Sequence, residues 1–360
     1  MRLRSVAIQT NRGRSPGVRS GTRGLPERAG VLLTIVDEAG RVAQGEASPL
    51  PGYSVETTSE AERALAGISW AAVPEAEPGE PARAFLRRSR EALVGLPPSA
   101  RFAVETAILG LVAERRGVPL FALLRTDGST PPVPMSAMAG GVDDPEVGRG
   151  IARALARGIR TVKLKLRGPD LGAQAGFLSA ARTALADADL RLDANGAFSA
   201  GATPRVLSEL AAFRPELVEE PAPLDVVREL PSSPVPLALD ESLSTPGALA
   251  SIAPRLAALR FRAVVLKPTT LGGISGCLEL ADEATALGLD VTVSHTFDGP
   301  VALAAARHLA LAIASRTRAS GLDVHAGLAA WPERVLPPLS DGSLVPEDRP
   351  GLGLSVLEVP

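Results

Sequence analysis

Thr161-Val162-Lys163-Leu164-Lys165-Leu166 is the stretch that decides how this chain is read. Strict alternation over so short a run predicts a β-strand, with Lys163 and Lys165 on one face and Val162, Leu164 and Leu166 on the other. Two ammonium groups side by side on an inward face repel each other, so they require anionic company. Later strand-like runs supply it, each ending on an acid: Leu192-Asp193, Val218-Glu219 and Leu239-Asp240. A second lysine-bearing run, Val264-Val265-Leu266-Lys267, follows.

Working outward, the rhythm around these runs is strand then helix. The expected strands are Val133–Ala137, Thr161–Leu166, Leu190–Asp193, Leu217–Glu219, Leu237–Asp240, Ala263–Lys267, Asp290–Val293 and, weakest in pattern, Gly321–Val324. Helical periodicity falls between them over Glu146–Arg157, Leu171–Ala186, Ile274–Leu287 and Val301–Ala314. Such βα units fit a (β/α)8-type barrel, in which every strand points its C-terminal end at one mouth. An open doubly wound sheet competes, but it gives no reason for polar residues at the ends of so many consecutive strands.

Upstream, the texture is α+β. Gly30–Val36 reads as a strand, Asp37-Glu38-Ala39-Gly40 as a turn and Arg41–Glu46 as its return. Asn11 to Glu27, rich in Arg, Gly, Ser and Pro, reads as a loop. Ser54–Ala71, Glu80–Leu93 and Ser99–Arg116 read as helices, the last with Ser99 as N-cap and Gly117-Val118-Pro119 as its stop. The expected organisation is an α+β capping domain over 1–130, the barrel over 131–328, and a proline-rich tail over 329–360 that packs back on the cap with a short strand at Leu354–Val359.

Composition narrows the function. A chain of 360 residues that is 45% hydrophobic can bury a large core, and a net charge of -2 leaves no nucleic-acid or membrane footprint. No apolar run approaches the ~20 residues of a membrane span, and Ser5–Ile8 is too short for the core of a signal peptide. A single cysteine, Cys277, excludes an intramolecular disulfide and reads as a small buried helix residue in a cytoplasmic protein. Oligomeric state is not legible.

The chemistry lies at the strand ends. Asp193, Glu219 and Asp240 are hard oxygen donors one βα unit apart, which suits Mg²⁺ rather than zinc, since neither His nor Cys accompanies them. A divalent ion on a substrate carboxylate favours loss of the adjacent α-proton, and a lysine crowded by cations is free to take it. Lys165 is the expected base, Lys163 the neighbour that depresses its pKa, and Lys267 a second base or a stationary cation. The expected partner is a small-molecule carboxylate. His295 is expected to be a hydrogen-bonded loop histidine rather than an acid; His308 and His325 read as structural.

Lys163-Leu164-Lys165, Asp193-Ala194-Asn195, Glu219-Glu220-Pro221, Asp240-Glu241-Ser242 and Lys267-Pro268 together resemble the enolase superfamily, muconate-lactonising subgroup. Within it, Gly45–Ser54, Arg191–Asn195, Lys267-Pro268-Thr269 and Gly321-Leu322-Asp323 resemble the o-succinylbenzoate synthase family of menaquinone biosynthesis. That resemblance implies an enolase-like barrel with a cap and a lyase. Its reaction would be Mg²⁺-dependent dehydration of 2-succinyl-6-hydroxy-2,4-cyclohexadiene-1-carboxylate to 2-succinylbenzoate through an enediolate, with Mn²⁺ as an alternative ion. It also implies that Lys165 returns its proton to the departing hydroxyl and that Lys267 acts as a cation. Asp193, Glu219 and Asp240 would hold the metal, Arg191, Ser294 and Gly321 would line the substrate pocket, and Asn195 and Glu241 would stand behind the ligands. Racemisation of N-acylamino acids or epimerisation of dipeptides on the same two lysines is the alternative. The chain departs from the family at Ser294–Pro300, where a serine-rich run and Glu-Ser are more usual. It also has Asp323-Val324-His325 where dipeptide epimerases carry an aspartate-x-aspartate pair.

Overall fold

Leu3–Arg14 (β1), Glu27–Asp37 (β2) and Val42–Ala47 (β3) form an antiparallel sheet in the order β1–β2–β3. The computed structural model describes residues 1–360 apart from 17, 21, 22, 126, 127, 129 and 356–360. The turn between β2 and β3 follows from its residues: Asp37 Oδ1 accepts from the amides of Ala39 at 3.0 Å and Arg41 at 2.9 Å, and Gly40 takes φ 80°.

β1 corrects part of the expected loop. Asn11 to Arg14 continue the strand, with Gly13 opposite Arg28 and Arg14 opposite Glu27. Their polar composition reads as loop, but backbone pairing with β2 holds them extended, and Gly13 lets the chain lie against the backbone of Ala330. Arg19–Ser20 and Arg23–Gly24 pair as a further short ribbon.

The helices Thr58–Ala66, Ala82–Ser89 and Pro98–Arg116 follow, the first two shorter than their periodicity predicts. Ser99 is not the N-cap. The third helix starts one residue earlier, at Pro98, where the fixed φ of proline suits the first turn. It ends as expected on Gly117 in the left-handed region, φ 65°. Gly45 lets this helix settle on β3, because an added Cβ would run into the carbonyl oxygen of Ala103.

Ser136–Gly141 (β4), Thr161–Lys165 (β5), Asp189–Asp193 (β6), Leu217–Glu219 (β7), Leu237–Leu239 (β8), Phe261–Leu266 (β9) and Asp290–Val293 (β10) build one parallel sheet in which each strand pairs with the next. Helices such as Val147–Ala156, Ala175–Leu185, Gly273–Ala286 and Pro300–Ala312 return the chain between strands. The first expected barrel strand is split: Val133–Pro134 pairs with Ser343–Leu344 instead, and β4 begins at Ser136.

The eighth expected strand, Gly321–Val324, does not form. Residues 317–321 bridge β10 at Val291–Thr317 and the residue after it at Ser294–Gly321, and reach the far edge of the sheet at Met135–Ser320. The amide of Ser136 donates to Ser320 O, and that of Ser320 to Pro134 O, both at 2.8 Å. The barrel therefore closes on an irregular stave. Gly321 has no side chain to pack and Val324 is 54% exposed, so no two-residue apolar period exists to sustain a ladder there.

Inside the barrel, Leu217, Ala238, Ala263 and Val265 form a small buried cluster separate from the main core. Two residues further along their strands, on the same face, stand Glu219, Asp240 and Lys267. An apolar floor thus lies directly beneath the polar mouth. In the tail, Arg334 donates to Gln44 Oε1 of β3 at 2.8 Å and Gly351 bridges Pro119. The strand expected at Leu354–Val359 lies, from residue 356 on, outside the described residues. No helix among the described residues is long and apolar enough to cross a membrane.

Candidate active site

Register sets the site. Lys163 pairs with Arg191 and Lys165 with Asp193 across β5 and β6, and Asp193 pairs with Glu219 across β6 and β7. Asp193, Glu219 and Asp240 each offer an oxygen within 4.8 Å of the others, and all three are almost fully buried. Lys163 is bound between two of them, at 2.8 Å from Asp193 Oδ2 and in closer contact with Glu219.

The other two lysines are held differently. Lys165 Nζ donates to Asn195 Oδ1 at 2.9 Å and stands 4.0 Å from Asp193 Oδ2. Asn195 takes φ 46°, its amide N–H donates to Asp193 Oδ1 at 3.0 Å, and its Nδ2 donates to Glu241 Oε1 at 2.9 Å. Strain in a non-glycine residue is compensated here by three directed hydrogen bonds. Lys267 Nζ donates to Asp240 and, at 2.6 Å, to the hydroxyl of Tyr53, whose ring centroid lies 4.7 Å away.

Electrostatics follow the geometry. Burial disfavours the charged form of each lysine. At Lys163 the carboxylates of Asp193 and Glu219 outweigh it, and at Lys267 those of Asp240 and Glu241 do, so both sit above the ordinary lysine value. At Lys165 burial wins: Asp193 only partly offsets it, Lys163 and Lys267 add to it, and the pKa falls. Burial also acts on Asp193, but Lys163 and Lys165 reverse it and hold the carboxyl below the usual range.

Two residues that touch the site carry no sequence signal strong enough to single them out. Tyr53, the only tyrosine in the chain, reaches Lys267 from the cap. Glu220, at φ 39°, accepts from the Asp240 amide at 2.8 Å and from Ser242, and so orients the third carboxylate. The strand end at Val218-Glu219 singles out Glu219 and gives Glu220 no role.

Arg191 is a correction. It shares the inward face of β6 with Asp193, but two residues earlier, in the layer of the apolar floor. Its side chain is buried and bound to Glu216 at 2.7 Å and to Ala319 O at 2.7 Å, not directed to the mouth. Ser294 and Gly321 are brought together, with Ser294 Oγ donating to Gly321 O at 3.3 Å. Since Leu266 pairs with Val293, Ser294 is level with Lys267. His308 accepts from the Phe121 amide at 3.2 Å, and Cys277 is fully buried.

The carboxylates fit a hard divalent cation. The donors are all oxygen, they converge from three adjacent strands, and Lys163 already shows that the cluster holds positive charge.

A parallel-stranded barrel with a cap, three converging carboxylates and facing lysines defines a class of enzyme, and comparison agrees. Residues 146–359 match the enolase C-terminal domain-like family, and the chain belongs to it. The hydrophobic dipeptide epimerase of Roseobacter litoralis is 31% identical over 267 residues, covering 72% of this chain and 74% of that protein. An o-succinylbenzoate synthase of Klebsiella pneumoniae is 28% identical over 359 residues, covering 92% and 95%. Among solved structures, the dipeptide epimerase of Methylococcus capsulatus complexed with Mg and L-Arg-D-Lys superposes with a TM-score of 0.80 at 26% identity, over 99% of this chain and 100% of that one.

Proposed function

We propose that this enzyme dehydrates 2-succinyl-6-hydroxy-2,4-cyclohexadiene-1-carboxylate to 2-succinylbenzoate, as o-succinylbenzoate synthases do. The observation that carries this reading is the unequal treatment of the two facing lysines. Lys165 rests on a neutral amide oxygen, whereas Lys267 is bound to Asp240 and Tyr53. One is prepared as a base and the other as a cation, and dehydration needs only one base.

Asp193, Glu219 and Asp240 would hold Mg²⁺, as Mg accompanies the related epimerase. Bound there, the ion supplies Lewis-acid stabilisation of negative charge on a substrate carboxylate. Lys165 Nζ takes the α-proton, and Lys267 stands as a cation beside the resulting enediolate. The ring C–O bond then breaks, Lys165 returns its proton to the leaving hydroxide as water, and the ring becomes aromatic. Asn195 and Glu241 keep Lys165 aimed at the reacting carbon.

A second reading is 1,1-proton transfer on an N-acylamino acid or a dipeptide, favoured by the 31% identity to a dipeptide epimerase and by the presence of a lysine on β5 and another just past the end of β9. For dipeptides, Asp323 counts against it, because both carboxylate oxygens are bound to Arg157, at 2.6 and 2.7 Å. The test is solvent deuterium exchange. A synthase forms 2-succinylbenzoate without scrambling an amino-acid α-centre; rapid label entry into L-Leu-L-Tyr without dehydration would refute the assignment.

A further inference from the structure

The loop after β10, Ser294 to Pro300, carries a histidine that the chemistry above leaves without work. His295 Nδ1 accepts from the Phe297 amide at 2.9 Å, which places the proton of the neutral ring on Nε2. The ring is clamped. It stacks on His325 with centroids 4.4 Å apart, and Phe297 packs edge-on against both, at 5.9 and 5.5 Å. His325 is itself held through Nε2 to Asp298 O at 3.0 Å.

The loop beneath is over-determined. Asp298 accepts from Thr269 Oγ1 at 2.9 Å and from Thr296 Oγ1 at 2.8 Å. Arg28 ties the Phe297 carbonyl, at 3.1 Å, to those of Ser48 and Pro49 in the cap, both at 2.9 Å. His295 stands one residue beyond the level of Lys267 at the barrel mouth, it is partly exposed, and its Nε2 has no partner among the described residues. The Ser294 hydroxyl beside it is already turned to Gly321 O. Burial first, then His325 and Lys267, push the imidazole well below its usual pKa, so the ring is neutral.

We propose that His295 is a substrate-specificity residue whose Nε2–H donates to a carbonyl or carboxylate oxygen of an acyl arm, at the end of the substrate away from the reacting carbon. This rests on the dehydratase reading and names the recognition of its succinyl arm. Two acceptors that could hold an α-ammonium group near the ring are already used, Asp298 by two threonines and Asp323 by Arg157. The cations that disfavour a positive charge on this ring, Lys267, Arg307 and Lys163, also favour an electron-rich ligand over a positive one.

The test compares the full-length protein with His295→Phe, which keeps the ring packing and removes both the Nε2–H donor and the Nδ1 acceptor of the Phe297 amide, and His295→Gln, whose amide N–H₂ restores a donor where Nε2–H stands. The probe is 2-succinylbenzoate, titrated calorimetrically with Mg²⁺ present, alongside KM and kcat for dehydration. His295→Phe should weaken binding and raise KM about tenfold with kcat within about twofold, and Gln should recover most of that loss; one hydrogen bond is of this size. With only three histidines in the chain, the ¹⁵N spectrum assigns His295 by difference, and its Nε2 resonance should move when the product is added. Unchanged binding in His295→Phe, equal loss in Phe and Gln, or a stationary Nε2 resonance each overturns the inference while wild-type dehydration stands. Failure of the wild type to dehydrate, with epimerisation of L-Leu-L-Tyr, overturns the dehydratase reading and this one with it.

Discussion

Replacing Lys163 with methionine keeps most of the side-chain volume and removes the one cation bound between Asp193 and Glu219. Those carboxylates lie no more than 4.8 Å apart. At an effective dielectric constant of about 20, two such charges repel by about 3.5 kcal/mol, which the ammonium offsets in the wild type and nothing offsets in the variant. Spread over the unfolding entropy of a 360-residue chain, that is about 5 °C in Tm. In chelator, Lys163→Met should therefore melt about 5 °C below the wild type. A divalent ion replaces the missing charge, so saturating Mg²⁺ should raise the variant's Tm by more than it raises that of the wild type. Thermal melts followed by circular dichroism in EDTA and in Mg²⁺ measure both. A variant as stable as the wild type in EDTA, with the same response to Mg²⁺, would refute the assignment of these carboxylates to one metal site.

Lys165→Ala should reduce turnover by about 10²- to 10⁴-fold, the usual weight of a general base, and leave the Mg²⁺-dependent rise in Tm intact. Glu105, reaching from the cap to the amide of Ser275 at 2.8 Å, is lifted to about 7, chiefly by burial and partly offset by Ser275. A carboxyl raised in the fold contributes stability below its unfolded pKa and loses it as pH rises through 7. Urea melts should accordingly show the wild type losing about 3 kcal/mol relative to Glu105→Gln between roughly pH 4.5 and 7.5. Gly45→Ala sets a methyl against the Ala103 carbonyl and should cost on the order of 1–3 kcal/mol, read as a fall in Tm without loss of the Mg²⁺ response.

The site was legible because its residues are out of place for a strand. Lys163 and Lys165 among aliphatics, and acids closing runs such as Leu217-Val218-Glu219, are costly alone and make sense only together. Arg191 obeys the same alternation, but periodicity says which face a side chain takes, not which layer of the barrel. Only the register, with Leu217, Ala238 and Val265 as floor, separates Arg191 from the mouth. The irregular stave at 317–321 and the polar end of β1 were hidden for a related reason: both are held by partners distant in sequence. Tyr53 and the stacked pair His295–His325 are meetings of separate segments, which no local pattern records.

One measurement bears most directly on the one-base mechanism: formation of 2-succinylbenzoate from 2-succinyl-6-hydroxy-2,4-cyclohexadiene-1-carboxylate with Mg²⁺, followed in the wild type, Lys165→Ala and Lys267→Arg. The expected result is dehydration in the wild type, its loss without Lys165, and a residual rate in Lys267→Arg, which keeps the cation but cannot act as a base. Dehydration that survives Lys165→Ala, or no dehydration by the wild type at all, would contradict it.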